Sequence, residues 1–86
     1  MTRQDKLKDR FCATPQPKDF AWDELVRLLG SLDFHLDHAG GGSHCRFVCQ
    51  SDPSVVIWTC RPHPTPILKG YQMREIRKFL EEKGLL

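Results

Sequence analysis

The chain has 86 residues, enough for one small domain with a modest core. Its 13 Lys and Arg against 11 Asp and Glu leave a formal charge of +2, so contact with an anionic partner has to come from local clustering of cations and not from a global field. No apolar run approaches the roughly 18–20 residues of a membrane span, and Met1-Thr2-Arg3-Gln4-Asp5-Lys6 leads into no apolar signal region, so a cytoplasmic protein without membrane contact is expected.

Residues 1–18 are expected to form an amino-terminal arm and residues 19–86 the folded domain. Within the arm, Arg3 to Cys12 sets Leu7 and Phe11 four apart on one face, as a short helix does. Thr14-Pro15-Gln16-Pro17 then interrupts regular structure, because each proline fixes its own φ and biases the residue before it toward extended backbone. From Phe20 to Leu32, Trp22, Leu25, Val26, Leu28, Leu29 and Leu32 recur at spacings of three and four, while Asp23, Glu24 and Arg27 take the other side. The spacing predicts an amphipathic helix covering a core, with Trp22 as a packing anchor. Its early acids suit the positive end of the helix dipole.

Asp33-Phe34-His35-Leu36-Asp37-His38 alternates apolar and polar residues, the pattern of a half-buried strand. Neither His35 nor His38 is selected as a site residue. Three glycines follow, Gly40-Gly41-Gly42, then Ser43 and His44 at the mouth of a second strand running to Gln50. Glycines permit a close approach of another chain or ligand, and histidine is the side chain whose unperturbed pKa, about 6.5, lets it exchange a proton near neutrality. A plain hairpin turn followed by a surface histidine has the same spelling. Alternation sets Cys45, Phe47 and Cys49 toward the core, leaving His44, Arg46, Val48 and Gln50 on the open face.

The four cysteines, Cys12, Cys45, Cys49 and Cys60, are read as reduced thiols. Cys45-x3-Cys49 and Cys60-x2-His63 superficially resemble zinc spacing. On one strand, however, Cys45 and Cys49 stand about 13 Å apart at roughly 3.3 Å per residue, too far to share a tetrahedral ion or a disulfide.

Ser51-Asp52-Pro53-Ser54 is turn chemistry, and Val55-Val56-Ile57-Trp58-Thr59-Cys60 reads as a third strand. It is apolar almost throughout, so either alternate set of its side chains satisfies the pattern. Arg61-Pro62-His63-Pro64-Thr65-Pro66 leaves it as a stiff extended loop. From about Gly70 to Lys83 a final helix turns Met73, Ile76, Phe79 and Leu80 inward and Arg74, Glu75, Lys78 and Glu82 outward, with Gly84 as its cap. Three sequential strands joined by short turns form an antiparallel sheet, and two amphipathic helices hide their stripes on one of its faces. The expected fold is a two-layer α+β domain, α-β-β-β-α, of the double-stranded-RNA-binding type.

The chain resembles the HicA family of toxins from bacterial type II toxin–antitoxin systems over roughly Phe20 to Leu86. The residues that carry the likeness are the leucine-rich helix, the triplet Gly42-Ser43-His44 at the second strand, Pro62-His63 after the third, and a last helix closing in Lys83-Gly84-Leu85. One departure is Gly70-Tyr71 where shorter members have Gly-Thr ahead of that helix. The resemblance implies an mRNA interferase that is neutralised by a HicB-like antitoxin, with His44 in the position of the family's catalytic histidine. On that premise His44 acts as general base or acid in RNA cleavage, and Arg46, on the same face, is suited to phosphate. Gly42, Ser43, Arg46, Arg61, His63 and Lys69 are the candidate RNA-contacting residues, with Arg74 and Lys78 extending a basic patch. No carboxylate cluster has metal-site spacing, so no metal or other cofactor is invoked. A non-catalytic RNA- or protein-binding module of the same fold, and a structural zinc domain, are the competing readings; an antitoxin is expected across the open sheet or along an edge.

Overall fold

The computed structural model describes residues 3–37 and 44–86. Helix α1 spans Arg3–Phe11 and α2 Trp22–Ser31, strands β1, β2 and β3 span Phe34–Asp37, His44–Cys49 and Val56–Cys60, and α3 spans Gly70–Glu82. The strands form one antiparallel sheet in the order β1-β2-β3. The architecture is the α+β, double-stranded-RNA-binding-like arrangement that the residue pattern predicts. His38, Gly42 and Ser43 lie outside the described residues.

The stripes find the core as their spacing requires. Trp22, Leu25, Leu28 and Leu29 of α2 and Met73, Ile76 and Leu80 of α3 are buried in one cluster with Phe34, Cys45, Phe47 and Ile57 from the sheet. Trp22 packs with its ring centroid 5.5 Å from that of Phe47. The segment read as an arm holds α1, whose Phe11 is buried edge-on against Phe20, with ring centroids 5.3 Å apart. Arg10 lies over the Phe20 ring, 5.2 Å from its centroid, and pairs with Glu24 and Asp19.

Helix α2 begins two residues later than the periodicity suggests, because Phe20 and Ala21 belong to another interaction. Ala21 bridges Ile67, the Phe20 carbonyl accepts the Leu68 N–H at 2.8 Å, and the Trp22 N–H donates to Pro66 at 2.9 Å. The proline-rich loop after β3 is thus stitched to the start of α2. At the other end of α2, Asp33 takes φ 74°, a left-handed conformation that short polar side chains tolerate. Its Oδ2 accepts the Ser51 N–H at 3.1 Å and the Ser51 hydroxyl, which fastens the helix end to the β2–β3 turn.

The buried Gln72 closes the fold. Its Oε1 accepts the Lys69 N–H at 3.0 Å at the start of α3, and its Nε2 donates to the Cys60 carbonyl at 2.8 Å and to Thr59 Oγ1 at 3.2 Å. A side chain from within the first turn therefore caps this helix.

Gln72→Met keeps the length of the side chain but leaves these partners unpaired. A loss of about 2 kcal/mol follows from the usual 1–3 kcal/mol of an unsatisfied buried group, lowering Tm by roughly 8–16 °C in a thermal melt. The Ser51 hydroxyl beside Asp33 holds its carboxyl below the ordinary carboxylate range. Because the folded pKa is depressed, that contribution to stability is present above the unfolded value near 3.9 and disappears as pH falls through the folded one. Acid denaturation of Ser51→Ala is therefore expected to show a shallower loss of stability below about pH 4 than the unaltered chain.

Candidate functional site

Inward and outward positions follow directly from the pairing register. Phe34 and Leu36 of β1 lie beside Cys49 and Phe47 of β2, and Phe47 lies opposite Ile57 of β3, all toward the helices. The remaining alternate set is His35 and Asp37, then His44, Arg46 and Val48, then Val56, Trp58 and Cys60. None of these eight is buried. One face of the sheet is packed and the other is open.

Two cross-strand arrangements occupy the open face. At the start of β2, His44 pairs with Cys60, and its ring Nδ1 lies 3.3 Å from the Cys60 sulfur. Either the thiol donates to Nδ1 or Nδ1–H donates to sulfur, according to the tautomer. In both cases the contact uses Nδ1 and leaves Nε2 for another partner. One row along, Asp37, Arg46 and Trp58 stand side by side on the three strands. Asp37 Oδ2 accepts from Arg46 Nε at 2.7 Å and from Nη2 at 2.6 Å, while the guanidinium carbon sits over the Trp58 ring, 5.5 Å from its centroid.

Around His44 the surface is concave. His44, Trp58, Thr59 and Cys60 border an open depression of about 430 Å³. A second, of about 150 Å³, is bordered by Arg61, Pro62, His63, Lys69, Tyr71 and Gln72 and shares Cys60 with the first. The fold thus gathers Arg61, His63 and Lys69, eight residues apart in sequence, on the rim next to the His44–Cys60 pair. Arg46 is on the same face but is engaged by Asp37, and Gly42 and Ser43 lie outside the described residues. Among the described residues no three His, Cys, Asp or Glu side chains converge as a metal site. A larger concavity of about 550 Å³ opens between α1 and α2, bordered by Lys6, Arg10, Glu24 and Arg27. It has no histidine or cysteine on its wall, and Arg10 and Glu24 are paired there with each other.

Three participants escaped sequence reasoning. Asp37 and Cys60 reach Arg46 and His44 only through strand pairing, and Trp58 is recognised as outward only once Ile57 is set against Phe47. The β-branched, aromatic run hid it, since both faces of that run are apolar.

Residues 22–85 match the family model described as HicA toxin of bacterial toxin-antitoxin. The matched span begins at the first residue of α2 and ends beyond α3, so it contains the whole sheet and both pairs described above. No curated protein and no solved structure matches the chain.

The role of Cys60 can be read from the histidine itself. Cys60→Val removes the sulfur beside Nδ1, so a changed tautomer ratio for the His44 ring is expected in its 15N spectrum, with Cys60→Ser closer to the original. As a half-exposed substitution it is expected to leave Tm within about 4 °C. An unaltered ring spectrum in Cys60→Val shows that the thiol does not orient His44.

Proposed function

Because the chain belongs to the HicA toxin family of bacterial toxin–antitoxin systems, we propose that it is an endoribonuclease which cleaves mRNA by acid/base catalysis at His44. Membership of such a family implies an antitoxin partner in general; in this reading the partner is HicB-like and lies over the open sheet face, where it covers His44. The observation that carries the reading is the exposed His44 ring held at Nδ1 by Cys60, with Nε2 left for substrate.

RNA brings its own nucleophile to such a site. The ribose 2′-oxygen attacks the adjacent phosphorus and gives up its proton, the bond to the 5′-oxygen breaks, and that oxygen takes a proton. The products are a 2′,3′-cyclic phosphate and a free 5′-hydroxyl, with no co-reactant consumed. His44 carries one of the two proton transfers, a role worth about 10²- to 10⁴-fold in rate. Arg61, His63 and Lys69 border the concavity that shares Cys60 and offer donors for phosphate oxygens. Arg46 reaches the phosphate through Nη1, the guanidinium nitrogen that the Asp37 contacts leave over, and Asp37 keeps the guanidinium plane in one orientation. Gly42 and Ser43 complete the candidate contact set by their place in the sequence just before His44.

His44→Ala is expected to lower RNA cleavage by the antitoxin-free protein by about 10²- to 10⁴-fold while the circular dichroism spectrum is unchanged, because the side chain is exposed. Cleavage by the unaltered chain is expected to persist in EDTA and to stop when the nucleotide 5′ to the scissile phosphate lacks its 2′-hydroxyl. Full activity in His44→Ala removes the catalytic assignment.

A further inference from the structure

Among the described residues the exposed large apolar side chains are Trp58, 66 % exposed, and Tyr71. The proposed reaction uses neither, yet both stand at the site: Trp58 borders the depression of His44, and Tyr71 borders the adjoining one with Arg61, His63 and Lys69. The other tryptophan, Trp22, is buried in the core. Trp58 is therefore left largely in water at a position where the same strand turns Ile57 inward, and of its neighbours on the open face Arg46 lies over its ring.

We propose that Trp58 is a stacking platform for a nucleobase of single-stranded RNA, holding the substrate so that an adjacent phosphate falls beside His44. The assignment rests on the ribonuclease reading and names the part of the substrate that this face grips. Arg46 lies over the indole ring and is itself held by Asp37, so one side of the ring is occupied by a fixed cation. With that cation in place the side chain is still about two-thirds exposed, which leaves ring surface for a base. His44 is opposite Cys60, two residues beyond Trp58 on the same strand, so His44 and Trp58 are diagonal cross-strand neighbours. Such neighbours are typically about 7–8 Å apart, within the reach of a nucleotide from its base to its backbone. Beyond Cys60 the rim turns cationic with Arg61 and Lys69. An aromatic ring followed by cations along one groove is how single strands are held without regard to sequence, since every base has a face to stack. Duplex RNA keeps its bases stacked on one another and offers none to the indole, so a single strand is the substrate this surface fits.

The test measures binding and cleavage separately. A short single-stranded RNA carrying 2′-O-methyl groups, which lacks the nucleophile, is titrated by fluorescence anisotropy against the full chain and its variants. Trp58→Leu is expected to weaken binding by about 5- to 150-fold, the usual worth of one stacked base, and Trp58→Tyr to retain most of the affinity. Thermal melts of the variants are expected to coincide with that of the unaltered chain, because the ring is exposed. Replacing one nucleotide at a time by an abasic residue is expected to reveal a single position whose loss weakens the unaltered chain but not Trp58→Leu. Equal binding by Trp58→Leu, or identical abasic penalties in both proteins, overturns the stacking role; if His44-dependent cleavage is intact, the ribonuclease reading stands without it. A Trp58→Leu protein that binds and cleaves RNA normally but escapes neutralisation by its antitoxin assigns the ring to a protein interface and likewise overturns it. An unaltered chain that binds no RNA overturns both.

Discussion

Burial obliges the amide of Gln72 to find a partner for each of its polar atoms, and it finds them on two elements joined by a proline-rich loop. Through Oε1 it caps the first turn of α3. Through Nε2 it holds the last two residues of β3, Thr59 and Cys60. The strand end that carries the Cys60 sulfur toward His44 is therefore anchored from the packed side of the sheet by a helix. Without that anchor the end of β3 would depend on its pairing with β2 alone, at an edge of a three-stranded sheet.

The same constraint explains why the two faces of so thin a sheet behave differently. Three strands and the helices above them bury Phe34, Phe47 and Ile57, with Leu36 and Cys49 partly buried at the margin of the same side. The other face carries the Val48–Val56 pair beside polar and cationic ones whose contribution to stability is small: an exposed pair such as Asp37–Arg46 is worth roughly 0–1 kcal/mol. Its value is geometric. It prevents a long guanidinium from sampling many rotamers and stations it against the indole of Trp58. Orientation without much stability is what a surface needs if substrate is to bind there without the fold depending on it.

Much of this was visible in the residues. Trp22, Leu25, Leu28 and Leu29 lie on one side of any helix drawn through them, and Cys45 and Phe47 on one side of any strand, so the inward positions and the outward His44 and Arg46 follow from period alone. The boundary of α2 did not follow, because Phe20 and Ala21 are drawn into a bridge with Ile67 and Leu68, more than 40 residues away. Cys49 sits on the predicted inward side yet is only half-buried, near Asp33 and Ser51 at the sheet's end. Phe11 looked like part of an arm, since two prolines separate it from the next helix; its burial against Phe20, nine residues on, depends on how the chain turns through those prolines and not on any helical or strand period.

By itself the sequence determined the kind and order of the elements, the inward stripes and the exposure of His44, because helical and strand periodicities are local properties that read the same in any context. Only the tertiary structure decided the face of Trp58, the partner of Arg46, the thiol beside His44 and the meeting of Arg61, His63 and Lys69 at one rim. The physical reason is parity and pairing: an apolar strand fits either way up until hydrogen bonding sets Ile57 opposite Phe47, and side chains on different strands become neighbours only through that register.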